Sequence, residues 1–179
     1  YDADLVSLGL LLVSVAIYAP TAQFEFLAFD DDRYVTRNAL VQEGLSLDTI
    51  RRSFTEFHSS NWHPLTWISH ALDVQLFGAA AGAHHAVSVG LHALAACLLF
   101  LVLRRMASPM NVSPLPVDLR TIALAGTVAA LFATHPTHVE SVAWIAERKD
   151  VLCALFWILT LGAYLRYIRS PSIGTYGVL

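Results

Sequence analysis

The sequence predicts an all-α membrane protein with about four transmembrane helices and two interfacial amphipathic helices in the first outside loop. Of its 179 residues, 56% are hydrophobic and only 14% are charged, against about 25% charged in a typical soluble domain. Those few charges cluster between apolar blocks, as they do in integral membrane proteins. The blocks lie near residues 5–22, 83–103, 117–134 and 151–168, and most approach the ~20 residues that cross a bilayer as a helix. The chain starts at Tyr1 and stops soon after the last block. Residues 1–179 therefore read as the N-terminal part of a longer multi-spanning module, with no repeat domain in this portion.

The first span, 5–22, opens after Asp2 and Asp4 and closes near Pro20. Its acidic start is unlike the basic start of a signal peptide. Directly after it comes Phe29-Asp30-Asp31-Asp32-Arg33-Tyr34. Ionised carboxylates avoid hydrocarbon, so this cluster belongs at the membrane–water boundary. It is either a solvated loop that stops the span or an acidic catalytic or ion-binding site. The polar connection that follows still carries helical pattern. Ser46 can cap a helix with Leu47, Ile50, Phe54 and Phe57 at helical spacing. Pro64 suits the first turn of a second helix, with Leu65, Ile68, Leu72 and Leu76 as its apolar stripe and Gly78 after its end. Both read as helices lying in the interface plane.

The second span, 83–103, opens with His84-His85 and closes at Arg104-Arg105. Pro109, Pro114 and Pro116 mark 106–118 as a connecting loop. Residues 121–134 are apolar but short for a crossing, so this helix must borrow 115–120, tilt, or sit in thin membrane. Pro136 ends it, and the fourth span, 151–168, closes on Arg166 and Arg169.

Charge sets the orientation. Arg104, Arg105, Arg120, Arg166 and Arg169 place their ends in the cytoplasm. The 23–83 connection holds four arginines against eight acids, so it and the 135–150 connection share the outer side. A net charge of −3 without a basic stripe excludes nucleic acid as a partner. Cys97 and Cys153 both fall in apolar spans, and indicate neither a disulfide nor a metal site.

The second outer connection is dense in chemistry. It runs from His135 through His138, Glu140, Glu147, Arg148 and Lys149 to Asp150. If the fourth helix starts at 147–150, Arg148 and Lys149 lie at its N-terminus, where amides and dipole favour an anion. A phosphate clamp facing the acidic cluster is one reading. Snorkelling interface residues and mutual salt bridges is the other. His85 and His92 share a helix face, yet no second such pair indicates haem, and His135 and His138 with Glu140 are weakly specific for a metal. The sequence requires no cofactor and no metal.

At this point the residues carry a resemblance. Phe29-Asp30-Asp31, Asn61-Trp62-His63-Pro64-Leu65-Thr66-Trp67, His84-His85, His135-Pro136-Thr137-His138-Val139-Glu140-Ser141-Val142-Ala143-Trp144 and Glu147-Arg148-Lys149-Asp150 are together similar to the transmembrane and tetratricopeptide-repeat-containing glycosyltransferases. Those belong to the C-type glycosyltransferase superfamily. The resemblance implies inverting transfer of a mannose-like sugar from a polyprenyl-phosphate donor to a hydroxyl, on a protein Ser or Thr. It implies Asp30 as the base, Asp31 as an acceptor-orienting acid, and Arg148 and Lys149 as the pair stabilising the departing phosphate. His138, Glu140, His63, His84 and His85 match positions that contact substrate. The implied setting is a bacterial inner membrane, or the endoplasmic reticulum of a eukaryote, with the catalytic loops periplasmic or luminal. Family members carry further spans and a repeat array, so this portion is expected to be inactive alone. The competing class is a non-catalytic transporter or channel fragment with an acidic, cation-binding mouth. The expected spans hold Ser7, Ser14, Ser88, His92 and Thr160 but no mid-span acid, which argues against it.

Overall fold

A computed structural model describes residues 2–107 and 119–178. Among them the protein is all-helical. Three helical stretches are long and apolar enough to cross a membrane: Asp2–Gln23, Ala81–Ala107 and Ile145–Arg169. The chain is an integral membrane protein. The first stretch is α1 (Asp2–Tyr18) with a 3₁₀ turn after it. The region between the first two stretches carries three helices, α2 (Ala39–Gln42), α3 (Leu47–Thr55) and α4 (Pro64–Phe77). The second stretch is α5 (Ala81–Ala107). A further apolar helix, α6 (Leu119–Thr134), precedes a short α7 (His138–Ala143). The third stretch is a 3₁₀ turn leading into α8 (Arg148–Arg169), and α9 (Ile173–Tyr176) follows.

The expected third span, 117–134, corresponds to α6. Its 16 described residues measure about 24 Å at 1.5 Å each, short of the ~30 Å hydrocarbon layer. The expected start of that helix at 117–118, and most of the proline-rich 106–118 connection, lie outside the described residues.

α5 is the centre of the bundle, packed on α1, α6 and α8. The seams are small: Ala96, Ala125, Ala129 and Ala133 surround Leu10 and Phe100, while Ala95 meets Leu155 and Ile158. Small residues let helix backbones approach closely where no water drives association. At Gly82 the approach is extreme, since a Cβ there would lie 2.2 Å from the Ala22 carbonyl oxygen. Large apolar side chains such as Leu5, Leu12, Leu131 and Trp157 point outward. Ser14 and Thr160 bond carbonyls of their own helices. His92 reaches across to the Ala133 carbonyl at 3.1 Å, and Cys97 donates to the Ser7 carbonyl at 3.3 Å. Both cysteines are free.

Local signals in the first connection are realised. Ser46 accepts the Thr49 amide at 3.0 Å and caps α3. Pro64 opens α4, and Gly78, at φ +62, ends it. Both helices are turned so that polar residues face the protein. α3 buries Thr49 and Ser53 and exposes Leu47 and Phe54. α4 buries Trp67, His70, Ala71 and Asp73 and exposes Leu65, Leu72 and Leu76. The apolar stripe read from the sequence is thus the outer face. α7 lies within a stretch that the sequence presented as loop.

Candidate active site

The two connections meet at one end of the bundle. Residues 24–27 run without helix, turn at 28–30, and enter a single π-helical turn, Asp32–Thr36. Arg37 N–H closes that turn on the Asp32 carbonyl at 2.7 Å. Such turns are rare and concentrate at functional sites. Their effect here is to send three consecutive acids into three environments. Asp31 is fully buried. One of its oxygens accepts the Leu27 amide at 2.8 Å, and the other accepts the Ala146 amide at 2.9 Å. This carboxylate staples the two connections together across 115 residues. Asp32 faces Arg37 at 3.5 Å. Asp30 stays half-buried, and among the described residues its carboxylate forms no hydrogen bond or ion pair.

Lys149 stands nearby. Its Nζ lies 2.6 Å from a Glu147 oxygen and 5.7 Å from the Tyr34 ring centre. The charges of Lys149 and Asp30 both act on Tyr34. Its hydroxyl accepts from the Asn61 amide at 3.2 Å and lies 3.5 Å from His63 Nδ1, and its ring packs on Trp67 at 4.7 Å. Burial raises the Tyr34 phenol above its usual 10.0; Lys149 opposes this, and Glu147 and Asp30 add to it. Burial, then the Lys149 charge, lowers His63 below 6.5. A tight turn at His58–Asn61 delivers Asn61, with Ser59 and Ser60 both at positive φ, 51° and 63°.

The basic pair expected to clamp phosphate is divided. Arg148 is fully buried. Its Nε donates to Ser88 Oγ at 3.1 Å, and one terminal nitrogen donates to Ser69 Oγ at 3.1 Å and to the Asp73 carboxylate. The other donates to the His84 carbonyl at 2.6 Å. A fork so occupied has no face for a ligand, which corrects the expectation that Arg148 lies at the surface. His84 accompanies it, with Nε2 3.2 Å from the Gly78 carbonyl and Nδ1 3.4 Å from Asp73. Fully buried His70 completes the cluster. Burial, then Arg148, pushes its imidazole well below 6.5. Ligand atoms of His70, Asp73 and His84 lie within 4.8 Å of one another, so this group could hold a metal ion.

His85 forms the floor of a cleft of about 560 Å³ between residues 23–27 and α7. Phe24, Leu27, Val139 and Trp144 line it, with exposed Glu25 and Glu140. Trp144 also packs on Phe29 at 5.7 Å, which places one wall of the cleft beside the turn bearing Asp30. His138 lies elsewhere, 4.7 Å from Phe132 and 5.5 Å from His92, and burial holds it below 6.5.

Curated proteins similar to this chain share one description. Protein O-mannosyl-transferase Tmtc1 of Drosophila melanogaster is 29% identical over 181 residues, covering 96% of this chain and 19% of its own length. Protein O-mannosyl-transferase TMTC1 of Homo sapiens is 32% identical over 172 residues, covering 92% and 18%. TMTC4 of Homo sapiens is 29% identical over 173 residues, covering 89% and 23%. By sequence, the chain is similar to the TMTC proteins. The expected resemblance is borne out, and the chain spans about a fifth of the length of those relatives. No family model matches it, and no solved structure does.

In this TMTC-like chain, sequence reasoning missed Asp73, Ser69, His70 and Tyr34. A signal existed for the first three. Ser69 and Asp73 are four apart, and His70 and Asp73 three apart, so the three fall on one polar strip of α4 flanking its leucines. In a helix with its apolar face toward lipid, that polar face is the buried one. Tyr34 carries no such pattern.

Proposed function

We propose that this chain forms part of a membrane glycosyltransferase that moves a mannose-like sugar from a polyprenyl-phosphate donor to a protein Ser or Thr hydroxyl, with inversion. The observation that carries the reading is Asp30: an uncommitted carboxylate, on a turn stapled in place by Asp31, whose charge bears on the same Tyr34 that the cation of Lys149 stands over. The names of the relatives support the reaction class. In the proposed step Asp30 takes the proton of the acceptor hydroxyl as its oxygen attacks the anomeric carbon. The bond from that carbon to the phosphate oxygen breaks, and the prenyl phosphate leaves with its charge facing Lys149. Attack opposite the leaving group inverts the sugar. Asp31 and Arg148 act by positioning: one fixes the Asp30 turn, the other fixes the start of the helix carrying Lys149. The cleft under Trp144 is where an acceptor segment enters, with His85 at its floor and Glu140 at its edge. The reaction face lies outside the cytosol, as the arginine distribution indicates, and the outward leucines of α3 and α4 rest in the interface.

The test uses the longer protein that carries this chain, in membranes, with radiolabelled polyprenyl-phosphate mannose and Ser/Thr peptides. Transfer by the parent and its loss in Asp30→Asn, at equal expression, support the assignment. Parental rates in Asp30→Asn remove Asp30 as base.

A further inference from the structure

The buried cluster joining α4 to α5 has an unmet requirement that the transferase reading does not use. His70 is fully buried, and neither of its ring nitrogens has a hydrogen-bond partner. Buried polar atoms are nearly always satisfied by protein, water or an ion. His84 shows which. Its Nε2 bonds the Gly78 carbonyl at 3.2 Å, and a carbonyl only accepts, so the ring proton belongs on Nε2. In the neutral ring the Nδ1 lone pair then faces inward, 3.4 Å from Oδ2 of Asp73. Arg148 donates to that same Oδ2, but no donor reaches Nδ1, and the two acceptors repel unless a cation lies against both. A ring whose far nitrogen donates to a carbonyl while its near nitrogen is left bare is oriented as metal-bound histidines are.

We propose that His70, Asp73 and His84 bind one divalent transition-metal ion, zinc in the first place. His70 and Asp73 are three apart on one face of α4, and His84 stands in the first turns of α5. Two imidazoles and a carboxylate suit zinc and its first-row neighbours better than magnesium or calcium. Ligand atoms spread over as much as 4.8 Å, roughly an ångström more than the spacing around a bound zinc. Small side-chain rotations close that gap. Arg148 is the objection, because its charge already faces Asp73. A carboxylate, however, has two oxygens and about four lone-pair sites, and accepts a guanidinium and a metal together. Ser69, Ser88 and the His84 carbonyl hold Arg148 in either case. With all three ligands buried, the ion is structural: it clamps α4 to α5 beneath the site.

The experiment is elemental analysis of the detergent-purified protein, prepared without chelator, followed by cobalt substitution. About one zinc per chain is expected. A strong chelator should remove it and lower the melting temperature, and zinc should restore both. The cobalt form should show visible d–d absorption that His70→Ala abolishes and His135→Ala retains. If His70→Ala does not fold, X-ray absorption on the wild type decides, with a shell containing two imidazoles and a carboxylate oxygen expected. A purified protein without metal that also gains no melting temperature from zinc, cobalt, manganese or ferrous ion overturns the proposal. So does a cobalt spectrum unchanged in His70→Ala. Neither readout depends on sugar transfer.

Discussion

Asp30 and Asp31 are neighbours, as are Arg148 and Lys149, and the structure treats each pair in two ways. The turn at Asp30 leaves one carboxylate without a hydrogen-bond or ion-pair partner among the described residues, and Lys149, paired only with Glu147, stays partly exposed over the Tyr34 ring. The cluster around Arg148, the first residue of α8, gives each nitrogen of the guanidinium a fixed partner. Adjacent residues of like charge therefore serve opposite ends. A buried charge whose hydrogen bonds are filled orders the chain around it, while one left open remains available to a substrate.

That contrast orders the expected effects. Asp30→Asn should lower transfer by about 100- to 10,000-fold, the span of a lost general base, with an unchanged melting temperature. Asp31→Asn should instead destabilise by about 2 kcal/mol, since an amide cannot accept both buried N–H groups. A melting experiment on both variants reads the difference, and equal melting losses would erase the distinction drawn between the two acids. Next comes Asp73→Ala, which strands the buried guanidinium and should cost about 3–5 kcal/mol. Pairing it with Arg148→Met should recover much of that loss in the same melt, because an apolar side chain leaves no charge unpaired. Lys149→Ala should leave the melt unchanged and raise the donor KM by roughly tenfold, ~1.4 kcal/mol, with an effect that shrinks as salt rises. A KM independent of salt would remove Lys149 from the phosphate.

The smallest effect is the pH response of His63. Its folded imidazole binds a proton less readily than its usual 6.5 implies, through burial and then Lys149; Glu147 and Asp150 act in the opposite sense. As pH falls through 6.5, the unfolded chain takes up a proton that the folded chain resists, so stability falls below that pH and is level above it. His63→Gln should flatten this part of a melting-temperature profile between pH 5 and 7. An unaltered slope would assign it to another group.

Much of the fold was legible because its signals are local. Runs of apolar residues marked three spans, Ser46 marked the start of α3, and Pro64 and Gly78 bracketed α4. The shortness of the helix ending at Thr134 was legible too. α7 was not, since six residues following the single His135-Pro136 pair offer no apolar period. The face of α4 turned inward was the harder matter: its leucines mark an amphipathic helix equally well in water and at a lipid surface, and only the surroundings say which face is buried.

The site divides along the same line. From the sequence alone came the types of group present, three acids after a span and a basic pair before another, because composition and order fix what chemistry is near a membrane surface. Which acid is open and which basic residue is buried was decided by tertiary structure. Asp31 is committed by an amide 115 residues away, and Arg148 by a carboxylate 75 residues away. Partners at that separation leave no mark on local spacing, and burial is a property of what packs around a residue.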